Sequence, residues 1–269
     1  MKLVKCMFAA AAVIALSSSC VIRFDLNKIR TALDSASMLK ASGVCVTRDT
    51  AVADFSGIVA SGSVDVRFVQ KQGENKVSIC ASDNVLPYVK LAEEDGTLNI
   101  RTEFPSELSL ISCGDIVVTV TSPDLASVEL FGSCDFKCGS LEMSDGNFRI
   151  QCCGSSDAEF GTLTAASLDI QAAGSSDVEF GRIATGNLDV RAAGSCDVEL
   201  KNITAATLRA NMSGSSDICV SGRADEAEYR AAGSSDVDAS ALECKSTVTS
   251  VAGNCSVKYR EADGRLIKL

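Results

Sequence analysis

The sequence predicts an all-β solenoid, a single-stranded right-handed parallel β-helix of about 20 residues per coil, and three observations predict it. A glycine-led tetrapeptide recurs seven times in the second half of the 269-residue chain, at glycine intervals of 22, 20, 20, 20, 19 and 20. The residues around each glycine alternate apolar and polar with period two, which marks strands with one buried face. The same residue class returns to the same column of every copy, as stacked coils require and a hairpin meander does not. The right hand follows from the general rule for parallel connections.

From the N-terminus, Lys2 and Lys5 precede the apolar run Met7 to Leu16, and Ser17-Ser18-Ser19 leads into Cys20. This is the pattern of an export signal, not of a membrane span. It resembles a bacterial lipobox with Cys20 as the lipidated residue, although Leu16 stands four places before the cysteine instead of three; a plain cleavable signal is the alternative. Residues 1–19 are thus expected to be removed. That takes the formal charge from −10 to −10 − 2 = −12, so anionic lipid repels the body and attachment rests on acyl chains. Residues 20–43 form a tether or cap, with Leu26, Ile29, Leu33 and Ala36 at helical spacing.

Residues 44–131 are expected to hold less regular coils that continue down to about residue 50. Ile58 to Phe68 copies the strand–turn–strand pattern, and Lys76–Cys80, Thr97–Arg101 and Asp115–Thr121 are strand-like. Residues 83–96 and 103–114 are expected to be loops that protrude from this end.

Residues 132–269 carry the regular repeat and a terminal cap. The copies start at Gly132, Gly154, Gly174, Gly194, Gly214, Gly233 and Gly253, and all but the last read Gly-Ser-x-Asp. Six, four and two residues before the glycine stand Leu168, Ile170 and Ala172, then Leu188, Val190 and Ala192, then Leu208, Ala210 and Met212. Apolar columns follow four and six residues after it, Val178 and Phe180 in one copy, Val198 and Leu200 in the next. A further column holds Leu141, Leu163, Ile183, Ile203 and Leu242, broken once by Arg223. The tail from Arg260 to Leu269 is expected to cover the last open edge, because an uncapped stack aggregates.

Composition narrows the function. With 46% hydrophobic residues the chain can build a core, and a charge of −10 argues against a nucleic-acid partner. Of thirteen cysteines, Cys134, Cys196 and Cys255 take the serine position of the tetrapeptide, three coils apart, too far to bridge one another. Cys152 lies in the column of Leu130, Ala172 and Ala192, a core position. The Cys152-Cys153 pair suggests a redox or metal element, but the chain has no histidine and no Cys-x-x-Cys spacing. A bridge between Cys244 and Cys255 is left open.

The signal, the segment Asp54-Phe55-Ser56-Gly57-Ile58, the run Gly96-Thr97-Leu98-Asn99-Ile100 and the Gly-Ser-x-Asp ladder together resemble a known family. It is the bacterial envelope family called "putative auto-transporter adhesin, head GIN domain", common in Bacteroidetes, and the likeness spans about residues 44 to 260. The resemblance implies a right-handed β-helix in an exported, often lipidated protein. It brings no catalytic residues.

The candidate site is the ladder Asp135, Asp157, Asp177, Asp197, Asp217 and Asp236. Carboxylates stacked about 5 Å apart repel unless a hard cation such as calcium bridges them, which is one interpretation. The other is that each aspartate accepts a backbone N–H in its own turn, with the serines doing likewise. Glu159, Glu179 and Glu199 form an outward acidic row that a glycosidase could use, or a solvated face. The expectation is a non-enzymatic, lipid-anchored binding or scaffold protein of the outer membrane, facing the periplasm, with a glycan or protein partner. A polysaccharide-active enzyme with a groove near residues 83–114 and a calcium-stabilised module are the alternatives.

Overall fold

The computed structural model describes residues 37–105, 108–143 and 146–269. The expected signal, Cys20 and the stretch of helical spacing up to Ala36 lie outside them, and Ser37–Lys40 (β1) is a strand. The described residues form strands joined by turns, with one short 3-10 segment at Leu86–Tyr88.

The regular half is the predicted solenoid. Asp157–Gly174 (β13), Asp177–Gly194 (β14), Asp197–Gly214 (β15), Asp217–Gly233 (β16) and Asp236–Gly253 (β17) each wrap one coil, and each pairs in parallel with the next. Below them lie Ser127–Gly132 (β10), Asp135–Glu142 (β11) and Asn147–Gly154 (β12). The register keeps every column intact: Leu168 pairs with Leu188 and Leu188 with Leu208, all buried. Burial of such columns is the main stabilising term, since each fully buried aliphatic side chain contributes about 1.5–3 kcal/mol. Aromatic rings add a stack along the axis, with Phe160 and Phe180 centroids 4.6 Å apart and Phe136 to Phe160 5.3 Å. Phe136 stands beside the small Cys138, so large and small side chains alternate between neighbouring columns of that coil.

The 19-residue interval is absorbed where the columns did not foretell it. Register shifts after Leu200 and after Cys219 set Gly222, not Arg223, between Ile203 and Leu242. Arg223 points outward and pairs with Glu243 at 2.8 Å. The core thereby loses one aliphatic side chain in this coil. The same coil carries Tyr229, the largest fully buried side chain, in the column of Val190 and Ala210.

The N-terminal half departs from simple coil-by-coil stacking. Gly57–Gly62 (β3) and Asp65–Gln70 (β4) make a coil that lies directly under β10 and β11. Beneath β3 and β4 come Thr97–Thr102 (β7) and Val117–Ser122 (β9), which follow them in sequence. The chain therefore lays one coil, builds the base below it, and crosses to the other side to start the regular stack. The segments expected as protruding loops are part of that base. Val89–Glu94 (β6) forms an antiparallel hairpin with β7, and Leu108–Ser112 (β8) pairs with β1. Lys76–Ser82 (β5) runs antiparallel to β9, and Cys45–Ala51 (β2) antiparallel to β5. Cys45 and Cys80 are joined by a disulfide across β2 and β5, whereas among the described residues Cys244 and Cys255 are free thiols and do not bridge each other. At the other end the tail returns as Leu266–Lys268 (β19), antiparallel to Ser256–Arg260 (β18), which sits on the first part of β17.

Candidate functional site

Stacking brings the six predicted aspartates into one file, and the register adds a seventh that the repeat spacing missed: Asp65 pairs with Asp135. Its signal was present in Gly62-Ser63-Val64-Asp65, but 70 residues separate Gly62 from Gly132, so only the fold could make them neighbours. Each turn is held by hydrogen bonds between coils. The N–H of Asp177 donates to Asp157 Oδ1 at 3.2 Å, that of Asp236 to Asp217 Oδ1 at 3.2 Å, and that of Ser256 to Asp236 Oδ1 at 3.0 Å. The carboxylates of Asp157, Asp217 and Asp236 thus cap the next coil and not their own turn. Burial is the main force raising the carboxyls of Asp65, Asp135 and Asp177 above the ordinary range, and adjacent aspartates add to it. Among the described residues no group of three or more acidic or thiol side chains is arranged to hold a metal ion.

The third tetrapeptide position is fully buried in every copy but the last, where Cys255 is half-buried. Ser156 Oγ donates to the carbonyls of Cys153 and Gly132, both at 3.3 Å, and accepts the N–H of Cys134 at 3.3 Å. The cysteines at this position play the same part, Cys196 Sγ lying 3.6 Å from the Ala193 carbonyl and 3.7 Å from that of Gly174. Cys152 is a core residue as expected, and burial pushes its thiol up to about 12; the thiol of Cys138 is pushed up to about 11 in the same way. Such thiols are inert packing groups.

Two outer faces flank the ladder. On one, the row Arg67, Lys137, Glu159, Glu179, Glu199, Cys219, Asp238 and Lys258 runs along the axis. Lys137 Nζ lies 2.6 Å from Glu159, while Lys201 Nζ lies 2.6 Å from Glu179 and 3.0 Å from Glu199. The three glutamates of the candidate acidic row are therefore engaged in surface ion pairs. A shallow acidic hollow of about 430 Å³ lies between this row and the aspartates.

The other face carries a file of small residues, Cys153, Ala173, Ala193, Ser213, Ala232 and Ala252. Beside it runs a polar file of Gln151, Gln171, Arg191, Asn211, Arg230 and Ser250. Together they form an open trough of about 530 Å³. Its polar side is pre-ordered: Arg191 binds Asp169 at 2.8 Å, and Gln171 donates to Asp169 at 3.1 Å. Period two already sets each pair, such as Gln171 and Ala173, side by side on one outer face, and the register runs both files unbroken from coil to coil.

A family described as "Putative auto-transporter adhesin, head GIN domain" matches residues 54–181 and 178–264. Among solved structures, an adhesin-named protein from Bacteroides fragilis superimposes with a TM-score of 0.71 at 19% identity, covering 83% of this chain and 99% of that one. One from Parabacteroides merdae gives 0.68 at 17% identity, with 82% and 98% covered. A Parabacteroides distasonis protein named a lipid binding protein gives 0.57 at 16%, with 82% and 98% covered. At these identities the likeness is one of fold. No curated protein matches the chain.

Proposed function

Because the chain belongs to the family "putative auto-transporter adhesin, head GIN domain", we propose that it is an exported cell-envelope module that binds a partner and catalyses no reaction. It is anchored through a lipid on Cys20 in the outer membrane, facing the periplasm. The observation that carries this reading is the trough on the small-residue face. An amide or guanidinium group returns once per coil from Gln151 to Arg230, about every 4.8 Å. A surface that repeats one set of contacts along a stiff axis suits an elongated ligand of repeating chemistry, a glycan chain or an extended protein segment. The small residues leave room for the ligand backbone, and the preset polar file lowers the ordering cost of binding.

Two measurements test this. Glycan arrays and envelope pulldowns should give a ligand whose binding falls at least about tenfold when Ala193→Trp fills the trough, a loss of about 1.4 kcal/mol. Capture that ignores the substitution, or no ligand in either assay, refutes the assignment. Protease treatment of intact and lysed cells tests the location: protection until lysis supports the periplasmic side, and digestion on intact cells overturns it.

A further inference from the structure

We propose that the upper edge of the last coil, Ser246–Ala252, is a β-augmentation site that accepts one extended, uncharged peptide strand from a partner. The proposal is independent of the trough. β17 pairs along its lower edge with β16, but above it β18 covers only Asp236–Ala239. Among the described residues nothing pairs with the upper edge from Ser246 to Ala252, so its outward N–H and C=O groups form a ready template.

The two ends of the solenoid treat their edges differently. At the base, the outermost strands carry Arg48 and Asp49 on β2, and Lys90, Glu93 and Glu94 on β6, charges that discourage pairing. At the top, seven consecutive residues from Ser246 to Ala252 carry no charge, and Lys245 is turned down onto Asp225 at 2.7 Å. Val248 is 59% exposed and Val251 37%.

The inward columns change here too. Thr247 stands above Ala227, Thr249 above the buried Tyr229, and Val251 above Ala231. The incoming strand thus meets small or β-branched side chains over the end of the core and hydroxyl and aliphatic groups outside. It fits a segment of like character.

The shape of the cap selects one strand over a second copy. β18 and β19 rise two strand spacings above the coil, about 10 Å, and the turn after β18 brings Ala262 beside Cys244 and Lys245. A second solenoid brought edge-on to Ser246–Ala252 would drive its own coil into that wall. A single strand lies in the layer of β18 and clears it. The site is at the end opposite the base, eight strand spacings from β7, or about 38 Å.

The probe is a fluorescein-labelled peptide, STVTSVAG, copying Ser246–Gly253, since a coil stacks on its own column pattern. Hydrogen exchange of the full-length protein should show fast amides within 246–252 that slow at least about tenfold at saturating peptide, with other coils unchanged. Val251→Lys, at an exposed position, should weaken the peptide at least about tenfold while the melting temperature is retained. A peptide with proline at the fourth position should not bind. Three results overturn the proposal: no saturable binding, equal binding to Val251→Lys, or amides already slow in the free protein, which would mean the edge is occupied. A concentration-dependent dimer abolished by Val251→Lys would also overturn it in favour of a second copy.

Discussion

Replacing Gly194 by alanine probes the feature on which the whole stack depends. Gly194 has φ +116°, a backbone state that costs an L-residue about 1 kcal/mol or more. A Cβ there would also lie 2.4 Å from the Gly174 carbonyl oxygen and 3.0 Å from its nitrogen. Both are backbone atoms, so the coil itself must move. That movement strains the Ser195 N–H to Gly174 carbonyl bond of 2.8 Å and adds about 1–3 kcal/mol, as forced overpacking does. Gly96→Ala is the control with open space: φ is +73°, and among the described residues nothing lies within 4 Å of its added Cβ. It bears the conformational cost alone. The expected losses are about 2–4 kcal/mol for Gly194→Ala and about 1 kcal/mol for Gly96→Ala, or about 4–16 °C and 2–4 °C in melting temperature at roughly 2–4 °C per kcal/mol. Thermal and denaturant unfolding followed by far-UV circular dichroism give both values. Equal losses would show that contact between stacked glycines does not set the stability of the coil.

Three more outcomes are expected. Tyr229 is buried with a hydroxyl that has no hydrogen-bond partner among the described residues, and burial holds its proton well above the ordinary phenol range; Tyr229→Phe should raise stability by about 1 kcal/mol, and a marked loss in a thermal melt would reveal a partner for that hydroxyl. The folded carboxyl of Asp177 is raised above 3.8, so it destabilises the fold at neutral pH, and that cost is relieved as pH falls through the folded value. Asp177→Asn should therefore stabilise the protein at pH 7 and lose its advantage as pH falls through the folded value of the aspartate, and a pH-independent difference in melting temperature would contradict this. Reducing the Cys45–Cys80 bridge, which spans 35 residues, should destabilise the base by about 4 kcal/mol, while Cys244→Ser should leave the melting curve unchanged; a curve insensitive to reductant would count against the bridge.

The sequence by itself determined the solenoid, its pitch and most of its columns, because parallel stacking forces every coil to repeat the same residue class at the same position. Gly174, Asp177, Val178 and Phe180 announce their neighbours twenty residues on without any structure. Where repetition ended, legibility ended. That Asp65 heads the ladder, that β7 and β9 slip beneath β3 and β4, and that Cys45 meets Cys80 depend on pairings across long stretches with no common period. Gly222 replacing Arg223 in the core column is the same lesson at smaller scale, since a one-residue deletion can be absorbed at several places in a coil and only packing chooses among them. The small and polar files of the trough stand two residues apart on one strand face, so the sequence already held them side by side, whereas whether the last edge is covered is decided by where the tail folds back. Local periodicity fixes a strand and its buried face; which edges meet is a global property of the folded chain.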